Sequence, residues 1–187
     1  TFSLPDIRYT QKIAPYLLLF LSVDDLDSNY LTQLSSESLK WLRNELSENK
    51  GMPTIIFFHA PLKGTIQSEN ESPEKGDFVA QPEIEIYRII KSHPQIFLWV
   101  SGHTHIAPTN VKFNHPINLY ENRVTNVHNC DMNGQSYMSD KEPKTQKHEN
   151  VWTNSLFLHS EKVMVKTYDH KKGEWIDGLT REISWKK

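Results

Sequence analysis

Two histidines stand one residue apart in the stretch FLWVSGHTHIAP, residues 97–108: His103 and His105. A third, His59, ends another apolar run in TIIFFHAPL, residues 54–62. Imidazole is the commonest side-chain metal ligand, and it binds as the neutral ring that prevails near pH 7. In an extended segment, one intervening residue sends both rings of an H-x-H pair to the same side. Gly102 gives the backbone room for a sharp turn just before the pair, and Pro61 stiffens the loop that carries His59. Read alone, a histidine at a strand end is ordinary surface polarity. Three of them after neighbouring apolar strands point to a ligand set, because open α/β sheets bind ligands beyond the ends of their strands.

The elements that must position these rings can be read in order. Residues 16–23 form an unbroken apolar run, as a strand buried on both faces requires. Asp24, Asp25 and Asp27 then stop it, and a strand-ending turn accounts for these acids better than metal ligation does. In LSSESLKWLRNELSENKG, Leu39, Leu42 and Leu46 recur at helical spacing, with Ser35 or Ser36 to cap the start and Gly51 placed for the end. TIIFFHAP is the second strand. Residues 63–81 are polar and read as a long loop. PEIEIYRIIKSHP predicts a second helix, with Pro82 in its first turn and Ile86, Ile89 and Ile90 on its apolar face. QIFLWV is the third strand. Strand–helix–strand–helix–strand predicts an α/β layered sheet with parallel pairing. Residues 109–150 are poor in aliphatics and read as a long polar loop region with a few short strands. Residues 151–187 return to short alternating runs and predict an antiparallel β meander, with Trp152, Trp175 and Trp185 as packing residues. No linker splits the chain, so a single domain over residues 1–187 is expected.

The strand-end His59-Ala60-Pro61 and the later Gly102-His103-Thr104-His105 resemble, in order and spacing, the last two motifs of the calcineurin-like metallophosphoesterases. FLSVDDLDSN and SSESLKWLRNEL resemble the strand, acidic turn and helix that precede them there. The resemblance spans roughly residues 15–108. It implies a four-layer α/β/β/α sandwich and hydrolysis of a phosphomonoester or phosphodiester at a binuclear centre of manganese, iron or zinc. His59 and His103 would bind one ion and His105 the other.

The same comparison exposes a departure. The family pattern opens with D-x-H, then G-D, then G-N-H. The chain holds no D-x-H and no G-N-H, and its Gly76-Asp77 follows the first histidine instead of preceding it. Three neutral imidazoles leave the charge of two dications unbalanced, and ions in hydrolytic sites normally have carboxylate help. Fewer than two ions are therefore expected to bind to this chain, and no catalytic residue is identified within it. Thr1 is expected to lie inside the family's domain, just after the G-N-H element. Pairing with an N-terminal half, or self-association, would then cover an exposed edge and apolar face.

Bulk composition narrows the remaining classes. Twenty-one basic residues oppose 23 acidic ones for a net charge of −2, without the basic excess of a general nucleic-acid binder. No apolar run approaches the length of a membrane helix. One cysteine, Cys130, excludes an internal disulfide and fits a reducing, cytoplasmic setting. His128 and Cys130 form an H-x-C, but structural zinc needs a second pair. Two further readings stay open: a non-catalytic chain kept as an interaction or oligomerisation module, and a mononuclear site built of histidines alone. The expected ligand is a small phosphoester.

Overall fold

A computed structural model describes residues 6–65, 76–103, 116–128, 138–139, 142–143 and 151–186. The chain opens with β1 (Arg8–Ile13) and β2 (Tyr16–Leu21), followed by α1 (Ser36–Glu48), β3 (Thr54–Phe57), α2 (Glu83–Ser92) and β4 (Ile96–Ser101). Then come β5 (Leu119–Tyr120), β6 (Val124–His128), and the two-residue strands β7 (Met138–Ser139) and β8 (Glu142–Pro143). The C-terminal part supplies β9 (Trp152–Leu158), β10 (Lys162–Asp169), β11 (Glu174–Trp175) and β12 (Arg181–Ser184).

Six strands form one sheet in the order β1-β2-β3-β4-β6-β5. Its centre, β2 to β6, is parallel, and an antiparallel strand closes each edge. The parallel strands read as continuous apolar runs because both their faces are covered. Leu17 and Leu19 of β2 pack toward the helices with Leu39, Leu42 and Leu46 of α1 and Ile86, Ile89 and Ile90 of α2. The alternate Leu18 faces the other way, with Ile55, Leu98 and Val127, onto Val163, Val165 and Ile183 of the second sheet. Each such burial contributes about 1.5–3 kcal/mol. The second sheet is antiparallel and organised on β10, which pairs with β9, β11 and β12. The described residues thus form three layers: helices, mixed sheet, antiparallel sheet.

Within this second sheet β11 and β12 both pair with β10, where a simple meander would pair β11 with β12. The run WIDGLTREISW is divided between β11 and β12 by a turn at Asp177–Leu179. Trp175 is not a packing residue of the core: it stands 40% exposed on the outer face, edge-on to Phe157 and Tyr168. Trp185 does pack against the core between the sheets.

Asp24 ends the run of β2 and starts α1. Its carboxylate accepts hydrogen bonds from the Ser35 amide (2.7 Å), the Ser35 hydroxyl (2.6 Å) and the Ser38 hydroxyl (2.6 Å). Arg8 lies 3.6 Å away. Burial pushes this carboxyl upward, but the bonds from Ser35 and Ser38, with Arg8, outweigh it and hold Asp24 below the usual carboxylate range. Ser35 in turn caps α1 by accepting from the Ser38 amide. Asp24→Ala should therefore cost about 1–2 kcal/mol in urea unfolding at neutral pH. An unchanged midpoint would show that the helix start is held elsewhere.

Candidate metal centre

β3 and β4 are parallel neighbours, and the residues just past their ends are His59 and His103. Their backbones are joined there as well, the Gly102 amide donating to the His59 carbonyl at 2.9 Å. Side chains launched from two such ends emerge side by side. His103 Nδ1 lies 2.9 Å from His59 Nε2, with the rings edge-to-face at 4.7 Å between centroids. His103 has φ 52°, in the left-handed region that a β-carbon disfavours. The segment is therefore not extended at His103, and the alternation argument for the H-x-H pair does not apply to it. His105 lies outside the described residues.

The proton positions follow from the partners. The other ring nitrogen of His103, Nε2, is 2.8 Å from the backbone carbonyl of Asp77. A carbonyl can only accept, so Nε2 carries a proton and donates. In the neutral ring Nδ1 is then bare and takes its hydrogen bond from His59 Nε2. This is the arrangement of a metal-ligating histidine, whose second ring nitrogen donates to a carbonyl or carboxylate. Two imidazoles bound to one ion at about 2.0–2.1 Å hold their nitrogens roughly 3.3 Å apart. His59 and His103 thus fit as two ligands of a single ion after a movement of a few tenths of an ångström and a shift of the His59 ring proton from Nε2 to Nδ1.

They do not fit a complete site. Among the described residues, no group of three or more His, Cys, Asp or Glu side chains could hold an ion. The Asp77 carboxylate is exposed, and it is the backbone of this residue that meets His103. Asp24 is committed to Ser35 and Ser38. His128, proposed by its H-x-C spacing, is fully buried, and its Nε2 donates toward the Thr65 carbonyl and Asn118 Oδ1, both at 3.0 Å. Cys130 lies outside the described residues.

Beside the pair opens a cleft of about 740 Å³, lined in part by His59, Ser101 and Gly102. Its floor is a row of rings from three adjacent strands. Tyr9 stacks on Phe20 at 4.4 Å and Phe20 on Phe57 at 4.5 Å. Sequence reasoning missed this row because Tyr9 sits in RYTQKI, which carries no strand signal. Neighbouring polar groups fix the floor of the site: Asn126 donates to Ser101 Oγ at 2.9 Å and accepts from the Leu62 amide at 2.8 Å.

No family model and no curated protein matches the sequence. Among solved structures, the chain is similar to the crystal structure of a dimetal phosphatase from Danio rerio, with a TM-score of 0.59 at 12% sequence identity. The match covers 95% of this chain and 60% of that one, so the chain spans about three-fifths of the length of the protein it resembles. At that identity the likeness shows the fold alone, a mixed α/β architecture shared with that structure.

Proposed function

We propose that this chain carries part of the metal site of a phosphoester hydrolase, with His59, His103 and His105 as its ligands. The observation that carries the proposal is the facing pair, His59 Nε2 and His103 Nδ1, held 2.9 Å apart beyond adjacent parallel strands. The likeness to a dimetal phosphatase supports it. When bound, divalent ions of the manganese, iron or zinc type supply a Lewis acid and a nucleophile at neutral pH. The chain's own part is to hold two imidazoles as neutral donors, to orient His103 through the Asp77 carbonyl, and to offer a cleft beside them. Carboxylates would come from an N-terminal half or a second copy of the chain, completing a four-layer sandwich over the uncovered floor of that cleft. The ligand is a small phosphomonoester or phosphodiester.

The test is metal content after equilibration with manganese or zinc and removal of the excess. The wild-type chain is expected to keep at most one ion, and His59→Ala or His103→Ala to lose it. Hydrolysis of bis-p-nitrophenyl phosphate by the chain alone should be weak or absent. Two ions held tightly per chain would contradict a partial site. An ion indifferent to both substitutions would place metal binding elsewhere. The absence of D-x-H and G-N-H from the sequence favours one other reading, a non-catalytic interaction module, which predicts no stoichiometric ion at all.

A further inference from the structure

We infer that Thr32 is a positioning residue of this site, acting through the turn Gly76–Phe78 to fix the tautomer of His103. The inference rests on the reading of His59 and His103 as ligands. A metal-binding ring needs its free nitrogen aimed at the ion, and the proton must therefore be parked on the other one. Nothing in the His103 side chain decides between the two tautomers. The decision comes from the Asp77 carbonyl at 2.8 Å, which takes a proton from Nε2 and leaves Nδ1 facing His59. The Phe78 ring, 5.7 Å from that of His103, backs the same contact.

A backbone carbonyl orients a ring only if its own turn is held, and a single side-chain hydroxyl brackets this turn. Thr32 is fully buried, and its Oγ1 lies 2.9 Å from the Gly76 carbonyl and 2.7 Å from the Val79 carbonyl, bracketing the turn. The strand-like backbone beside it is tied in as well. Gln81 N donates to the Thr32 carbonyl at 3.0 Å, and Leu34 N to the Gln81 carbonyl at 2.8 Å. On the outer side, the Tyr30 ring lies against Gly76, where a β-carbon would meet it at 2.2 Å. The loop after β2 thereby reaches His103 although neither Tyr30 nor Thr32 touches a histidine in the described contacts. Thr32 shows no chemistry of its own that a sequence motif would flag.

The experiment reads the tautomer directly, in the metal-free chain, from the nitrogen-15 shifts of the His103 ring at pH 8. The wild-type chain is expected to carry the proton on Nε2. A ring protonated on Nδ1 would overturn the inference without any variant. Thr32→Val removes the hydroxyl at nearly constant volume, and Thr32→Ser keeps it. Thr32→Val should mix the two tautomers and weaken zinc binding about tenfold, as loss of an outer-shell partner does. Thr32→Ser should keep the wild-type tautomer and affinity. Equal tautomers and equal affinities in the two variants would overturn the positioning role. A normal tautomer with no zinc bound to the wild-type chain would instead count against the metal reading, so the two failures are separable.

Discussion

Lowering the pH from 6.5 to 4.5 should remove most of about 3 kcal/mol of stability, and one residue should account for it. His128 is fully buried at the end of β6, and burial holds its pKa down at about 4. The Thr65 carbonyl pulls the value back up, and Arg181 pushes it further down. In the unfolded chain the ring titrates near its ordinary value of about 6.5. Between the two values the unfolded state binds a proton that the folded state refuses. Stability is therefore fully present above about pH 6.5 and drains away as the pH falls toward 4. Asp24, held below the ordinary carboxylate range, loses its contribution only at lower pH, so the two effects separate. Urea unfolding at pH 7 and pH 4.5 measures the difference. His128→Gln, which keeps an N–H donor but cannot titrate, should flatten it. If the variant falls as steeply as the wild type, the acid sensitivity belongs to other groups.

Trp99→Ala should be the most damaging single change in the core, at about 3–5 kcal/mol. Trp99 is fully buried in β4 on the helix side and meets the Phe58 ring edge-on at 6.0 Å. Its indole N–H donates to the Ala60 carbonyl at 3.0 Å. Ala60 is itself fully buried and follows His59 directly, so the indole ties the core to the loop that presents a candidate ligand. Trp99→Phe separates the two contributions. It keeps most of the ring but leaves the Ala60 carbonyl without this donor, at a cost of about 1–3 kcal/mol. Chemical denaturation gives the stabilities, and zinc affinity measured on the folded Trp99→Phe chain tests the tie to His59. A Trp99→Phe chain as stable as wild type would show that the hydrogen bond contributes nothing net.

The parts of this fold legible in the sequence are those buried on both faces or on one regular stripe. β2, β3 and β4 announce themselves as apolar runs because helices cover one side and a sheet the other. The helices show their 3.6-residue stripe, and Ser35 is the cap its position suggests. Elements stabilised by polar pairing are hidden. β6 carries Asn126 and His128 at buried positions, where side-chain hydrogen bonds take the place of apolar contact. β1 is an antiparallel edge strand whose RYTQKI pattern has too few apolar residues to mark it. The candidate site divides in the same way. His59 and His103 are visible by type and by place after a strand. The Asp77 carbonyl that orients one of them is backbone, and backbone groups leave no trace in side-chain identity. Gly51 was expected to end α1, but Asn49 closes it, and Gly51 takes φ 87° in the turn beyond.

The second sheet has a hub. β9, β11 and β12 each pair with β10 and, among the described residues, with no other strand. The inward residues Val163 and Val165 of that same strand also supply its grip on the mixed sheet. A chain of strands can fray from its ends one member at a time, whereas spokes cannot outlast their hub. Breaking β10 therefore releases the whole layer at once, whereas β9, β11 or β12 can each open alone without freeing the others.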